Sequence, residues 1–429
     1  MNQPTNSLVS LEQWLAYLEQ CHPSTIELGL ERISKVADKL AIDFSSTRII
    51  TVGGTNGKGS TVAMLSSILE QGGYKTACYT SPHILHYNER VRLGKRLATD
   101  AELCHSFAEV EKVRGDIQLT YFEFGTLAAL QIFSEYNPDF VLLEVGLGGR
   151  LDAVNILDPD LAIVTNVAID HTDWLGDTRE AIGFEKAGIF RTNVPALIGE
   201  QDIPVTVLDH ADSIAARVFQ NGKAFFHTQT TPDLWQWQGL GSDGNQVSLA
   251  DLPINTFPLD NCATVLQAIS LVAPEIKSEQ IVAGLGKVSL DGRFQRIDRS
   301  CPLILDVAHN PHAAGRLVEQ LGESFPGFDI HLVVAMLADK NYREVLDILG
   351  KLEPAWYVAG IQEDRGLEGK ILYNYLSESG KTRASSFATV EEAFIAAEQA
   401  IKSNQNSRNN ALLVVTGSFF TVATVMELL

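Results

Sequence analysis

Short apolar, β-branched runs alternate with amphipathic stretches along most of this chain. Strands buried in a parallel sheet read as continuous apolar runs, whereas the helices covering them carry apolar residues on one face, so the alternation predicts an α/β fold. Residues 49–52, 140–145 and 161–165 read as strands. Residues 61–71 read as a helix, because Val62, Leu65, Ile68 and Leu69 fall on one face. Between about 205 and 258 the character shifts to Trp, Gln, Gly and Thr, with turn pairs Gly241-Ser242 and Asp243-Gly244, which predicts a small antiparallel excursion. A second alternation begins near Leu303, with apolar strands expected at 303–307, 330–336, 357–359 and 412–415. The polar segment 287–302, carrying Gly292, Arg293 and Arg296, places a domain boundary at about residue 296, giving domains 1–296 and 297–429.

Length supports that division, since 429 residues exceed the roughly 250–300 that one core sustains. With 45% apolar and 20% charged residues, the chain has the composition of a soluble globular protein. Its formal charge of -20 repels nucleic acid and anionic lipid, so neither is an expected partner. An anionic ligand would need a locally positive site built from Lys, Arg, metal ions and helix N-termini. Cys21, Cys78, Cys104, Cys262 and Cys301 are odd in number and form no CxxC pair, which argues against a disulfide frame or zinc site. The polar residues 1–12 lack the pattern of a secretory leader, and no apolar run reaches the length of a membrane span. A cytoplasmic location is expected.

The strongest local signal is Gly53-Gly54-Thr55-Asn56-Gly57-Lys58-Gly59-Ser60-Thr61, between an expected strand and an expected helix. Glycines let backbone N–H groups approach phosphate oxygens, the helix N-terminus adds positive potential, and a lysine meets the terminal phosphates. The spacing departs from GxxxxGK[ST], so this is a variant phosphate loop. Glu144 ends an apolar strand ahead of Gly146, Gly148 and Gly149, and Asp170-His171-Thr172-Asp173 follows the next strand. Both clusters therefore fall at the strands' C-terminal edge, where open α/β sheets bind ligands and where carboxylate and imidazole can share a divalent ion with phosphates. His171 taken alone is a hydrogen-bonding residue; its sheet position favours a ligand. Glu185-Lys186-Ala187-Gly188 reads from spacing as a surface ion pair. Asp306-Val307-Ala308-His309-Asn310-Pro311 ends the first strand of the second domain, as a ribose or amine acceptor or as a simple turn, and Arg293 either covers a phosphate or sits in solvent.

These segments together resemble folylpolyglutamate synthases over nearly the whole chain: Gly54 to Ser60, Ser81-Pro82-His83, Glu144 to Asp152, Asp170-His171, Glu185 to Gly188 and Asp306 to Pro311. Through Thr120 to Thr126, His171 to Gly176 and Gly417-Ser418-Phe419 the chain is similar, more narrowly, to the bacterial bifunctional dihydrofolate synthase/folylpolyglutamate synthases, with the Mur ligases as wider relatives. The resemblance implies a P-loop-containing, mostly parallel-sheet ATPase domain followed by a smaller Rossmann-like α/β domain. It also implies an ATP-dependent ligase that joins L-glutamate to dihydropteroate and to folates through an acyl phosphate.

By position it assigns ATP phosphates to Asn56, Gly57, Lys58, Gly59 and Ser60, and one or two Mg²⁺ ions to Ser81, Glu144 and His171, with K⁺ a further candidate. Lys186 matches the family's carbamylated lysine, which displaces the surface-pair reading, and Lys58, Lys186 and His171 carry the catalytic roles. Asn261, Arg293 and Asp306 match ATP contacts, the last two across an interdomain cleft. Thr120, Tyr121, Phe122, Glu123, Leu151, Asp152 and Ala153 match the pterin side, with Ile26, Glu27, Leu28 and Gly29 nearby. Phe420 departs from the pattern, standing where Tyr or His is expected. The implied assembly is a monomer. Two other readings are a Mur-type ligase acting on a nucleotide-linked cell-wall precursor and an NTP-driven switch.

Overall fold

The computed structural model describes residues 9–22, 27–403 and 410–429, so Ile26 and most of the first twelve residues lie outside the described part. The chain divides into two compact units, Met1–Val288 and Ser289–Leu429. The expected break at about 296 falls instead inside a strand of the second unit, because Gln295–Ile297 pairs with Leu303–Leu305 and so belongs to that unit's sheet.

In the first unit, β1 (Arg48–Gly53), β2 (Thr76–Tyr79), β3 (Val91–Leu93), β4 (Arg96–Leu97), β5 (Phe140–Glu144), β6 (Leu161–Val164), β7 (Pro195–Ile198) and β8 (Arg217–Gln220) form one sheet in the order β4-β3-β2-β5-β1-β6-β7-β8. All neighbouring pairs from β2 to β8 are parallel, and β3 and β4 close one edge antiparallel. The apolar runs read as strands because helices cover both faces, and every residue of β2, β5 and β6 is buried. Successive strands leave β1 first toward β5 and β2 and later toward β6 and β7. The C-terminal ends of β5, β1 and β6 therefore frame a switch point of the kind at which such sheets bind ligands.

The antiparallel excursion is smaller than the sequence suggests. Val205–Ser213 is a helix that buries Val207 and Ala211, and β8 joins the main sheet in parallel, so these residues complete a βαβ unit. Only β9 (Phe226–Gln229), β10 (Leu234–Leu240) and β11 (Gln246–Pro253) form the separate three-stranded sheet, with Trp235 and Trp237 buried beneath it.

The second unit has β12 (Gln295–Ile297), β13 (Leu303–Leu305), β14 (Asp329–Val334), β15 (Ala355–Ala359), β16 (Ala384–Phe387) and β17 (Ala411–Thr416) in the order β12-β13-β17-β14-β15-β16. All its pairings but β12–β13 are parallel, as the second alternation predicts. Among the described residues no helix is long and apolar enough to cross a membrane, and all five cysteines are free thiols.

Leu142, fully buried at the centre of the larger sheet, tests how much this core contributes. Leu142→Ala is expected to destabilise the protein by ~2–5 kcal/mol, read as a lower urea midpoint with an unchanged denaturant slope.

Candidate active site

The phosphate loop turns out of β1 into the helix Lys58–Gln71, with Gly57 in the left-handed region at φ 81° as its N-cap. It is not a free-standing turn. Residues 165–168, leaving β6, clamp it: Asn56 N–H donates to Asn166 Oδ1 at 3.0 Å, while Asn166 Nδ2 and Thr165 Oγ1 donate back to the Asn56 carbonyl at 3.0 and 2.7 Å. Thr55 N–H donates to the Asn166 carbonyl, and Thr55 Oγ1 bridges Ala168 through both its N–H and its carbonyl. Asn261, on the helix Leu259–Val272, lies so close that a Cβ on Gly57 would come within 2.3 Å of its Nδ2. The expected ATP contacts Asn56 to Ser60 and Asn261 are thus gathered in one place. Lys58 Nζ donates to the Gly54 and Thr55 carbonyls at 3.1 and 3.2 Å, which holds the ammonium across the loop.

Glu144 ends β5 buried, and its Oε2 accepts the Ser81 N–H at 3.0 Å, so two of the expected metal ligands are neighbours. His171 lies on the β6 side, exposed, in the left-handed region at φ 53°. Among the described residues no three His, Cys, Asp or Glu side chains converge. A carboxylate and a hydroxyl nonetheless suit a hard, hydrated ion such as Mg²⁺, which takes its remaining ligands from phosphate and water.

Lys186 is not a surface residue. The helix Arg179–Ala187 turns it inward, 4% exposed, while its neighbour Glu185 pairs outward with Arg150 Nη2 at 2.8 Å. Gly149 permits this: a Cβ there would meet the Glu185 and Lys186 carbonyls at 2.8 Å, and Arg150 N–H donates to the same Glu185 carbonyl. Burial, then the nearby Lys58 cation, pull the Lys186 amine down to about 7, against the opposing pull of Asp170 and Asp152. Asp152 is itself buried and raised to about 6 by desolvation, although its oxygens accept from the backbone N–H groups of Leu147 and Val154.

The expected pterin-side residues also converge. Thr120 caps the helix Tyr121–Tyr136 in a reciprocal box with Glu123, whose carboxylate binds Arg32 Nε at 2.9 Å. Arg32 also grips the side chain and carbonyl of Glu27, and Gly29 N–H donates to the Leu151 carbonyl. Phe122 packs edge-on over Gly146, where a Cβ would lie 2.6 Å from the ring. Ala153 is buried in the short turn Ala153–Ile156 that Asp152 caps, and Leu28 lies in the partly exposed segment before Gly29. Sequence reasoning missed Thr165, Asn166 and Arg32; a polar Thr-Asn pair directly after an apolar strand was the available signal for the first two.

In the second unit Asp306 leaves β13 with both carboxylate oxygens on backbone amides of its own unit, those of Phe294 at 2.8 Å and Ala308 at 2.9 Å. Desolvation raises its pKa. Arg293 is half-buried and lies over the Phe419 ring at 4.9 Å rather than in bare solvent. Asn310 and Ser418 cap the helices Pro311–Ser324 and Phe419–Glu427, and Phe420 faces solvent on the first turn of the latter.

Residues 52–233 match the Mur ligase middle domain and residues 292–419 the glutamate ligase domain of Mur ligases. A dihydrofolate synthase/folylpolyglutamate synthase of Escherichia coli strain K12 is 43% identical over 420 residues, covering 98% of this chain and 95% of the relative. The chain belongs to this family. Among solved members of the dihydrofolate synthase/folylpolyglutamate synthase family, E. coli FolC in complex with DHPP and ADP superposes with a TM-score of 0.92 at 41% identity, covering 99% of both chains. A bifunctional enzyme of the family with Mn, AMPPNP and L-glutamate bound gives a TM-score of 0.89 at 42% identity, covering 100% of this chain and 99% of that one.

Gly54 tests the clamp, because at φ 137° a Cβ would lie 1.8 Å from Thr165 Oγ1 and 3.0 Å from the Thr165 backbone nitrogen. Gly54→Ala is expected to cost ~1–3 kcal/mol through strain and displacement of Thr165, seen as a lower melting temperature.

Proposed function

We propose that this chain is an ATP-dependent ligase that adds L-glutamate to 7,8-dihydropteroate and to the γ-carboxylate of folates. The observation that carries this reading is the meeting of the phosphate loop, Glu144 and a buried lysine at one sheet edge, in a chain similar over 98% of its length to enzymes named for both activities. The substrate carboxylate attacks the γ-phosphorus of ATP, ADP leaves, and the resulting acyl phosphate is attacked by the glutamate amine with loss of phosphate and a proton. Carboxylate and triphosphate repel one another, so the chain's task is to offset charge and hold the reacting atoms in line. Lys58 would do this from the loop, with the backbone amides of residues 57–60 at the helix N-terminus offered to the phosphates. Ser81, Glu144 and His171 would hold Mg²⁺, which neutralises phosphate charge when bound. Arg293 and Asp306 are the second unit's candidates for nucleotide contact. Five unpaired cysteines are in keeping with a reducing, cytoplasmic setting.

Lys186 is assigned as a carbamate. Only a neutral amine adds CO₂, and burial beside Lys58 keeps this amine near about 7 when ordinary lysines stay charged. The product is an anion on a long stem, which removes the repulsion between Lys186 and the Lys58 cation and can support a hydrated metal ion. Because the neutral form prevails above about 7, carbamylation is favoured as pH rises through that value and lost as it falls.

Product mass after incubation with ATP, Mg²⁺, L-glutamate and either dihydropteroate or tetrahydrofolate tests the reading; no glutamylated product from either acceptor would refute it. Lys58→Ala should lower turnover by about 100-fold or more while the melting temperature stays near that of the parent; near-normal turnover would remove Lys58 from the reaction. Intact mass at pH 8 with bicarbonate should exceed that at pH 6 without it by one CO₂, and Lys186→Ala should lose both that increment and activity, the latter partly restored by short carboxylates.

A further inference from the structure

Arg90 lies at the end of the short turn Tyr87–Arg90, only 9% exposed, and nothing above gives it a role. Its guanidinium is held from three sides. Nε donates to His83 Nδ1 at 2.8 Å, the rings of Tyr87 and Tyr121 lie 5.4 and 5.8 Å from Cζ, and the Tyr79 hydroxyl is within hydrogen-bond reach. Among the described residues no carboxylate pairs with it, in contrast to Arg32, Arg96, Arg114, Arg150 and Arg179. Taking a guanidinium out of water without an anion is costly, and a rigid fork so placed is suited to a carboxylate brought by a ligand.

Its position says which ligand. The Arg90 carbonyl accepts the Thr80 N–H, and the next residue, Ser81, donates to Glu144; on the other side Tyr121 belongs to the wall formed with Thr120 and Phe122. Arg90 is therefore linked through Thr80 to the Ser81–Glu144 pair and through Tyr121 to the aromatic wall, and a substrate with its ring system on that wall and its reacting carboxylate at that pair would pass beside it. Resting on the function proposed above, the reacting carboxylate is already neutralised by Lys58 and the metal. A folate carries a second carboxylate, the α-carboxylate of its glutamyl tail, whereas dihydropteroate has only the one that reacts. We propose that Arg90 binds the α-carboxylate of the folate's terminal glutamate, and so is a specificity residue for tail extension over the first glutamylation.

The experiment compares the parent protein, Arg90→Lys and Arg90→Met in steady state with ATP, Mg²⁺, L-glutamate and one of three acceptors: dihydropteroate, a tetrahydrofolate monoglutamate, or its α-carboxamide analogue. In Arg90→Met, kcat/KM for the folate should fall about 10- to 100-fold more than that for dihydropteroate, mainly through KM, with a smaller selective loss in Arg90→Lys. The parent should discriminate against the α-carboxamide by a similar factor and Arg90→Met should not, which a merely structural role would not produce. Equal losses with folate and dihydropteroate would overturn the proposal, because the incoming glutamate or general packing would then be the cause; so would a parent indifferent to the α-carboxamide, a result obtainable even if Arg90→Met does not fold. A parent that turned over neither acid acceptor would remove the functional reading itself.

Discussion

The grip of Thr165 and Asn166 on the Asn56 peptide is the constraint on which the candidate site depends. A glycine-rich loop has little conformational preference of its own and loses much entropy on being fixed. Here the fixing comes from the neighbouring strand, since three hydrogen bonds to the backbone of Asn56 and three more through Thr55 join the β1 and β6 ends into one polar layer. Lys58 is oriented by the same loop's carbonyls, and Asn261 closes against Gly57 from a third direction. The direction of the Lys58 ammonium is therefore set by residues more than a hundred positions away in the chain.

Charge at this edge runs against the whole. A chain with a formal charge of -20 places two lysines within electrostatic reach of each other, one of them almost wholly buried. Desolvation resolves the conflict by weakening the charge on Lys186, and Asp152 and Asp170 oppose that only in part. Asp152 meets the reverse pressure, its carboxylate pushed toward neutrality while two backbone amides restrain it. Groups that ionise near neutrality are useful for chemistry, and burial, helped by a like-charged neighbour, is how a fold creates them.

Much of this was legible in the sequence where the information is contiguous. The loop lies between its strand and helix, Glu144 at a strand end, and the parallel sheets follow the apolar runs, because each depends on residues a few positions apart. Pairings across the chain were not legible. Nothing near Glu185 in sequence says that it pairs with Arg150 and so frees Lys186 to turn inward. The polar look of residues 287–302 concealed β12, a short edge strand whose burial alternates weakly. Residues 205–220 were misread as antiparallel because the period of a nine-residue helix is short evidence against the Trp- and Thr-rich strands that follow. The enclosure of Arg90 is completed by Tyr121 from a separate helix, and spacing within residues 83–90 is silent about it.

The helix Leu259–Val272 has both of its ends spoken for. Near its start Asn261 meets the phosphate loop, and at Gln267 the side chain bonds both the N–H and the carbonyl of Leu240 in the small antiparallel sheet. These anchorages fix the helix in rotation as well as in place. One residue inserted or deleted between them would turn one end against the other by roughly 100°, so that either the loop or the sheet would lose its partner. The stretch between Asn261 and Gln267, buried throughout, should therefore keep its length during divergence, whereas the exposed hairpin tip at 242–245 has no such register to hold.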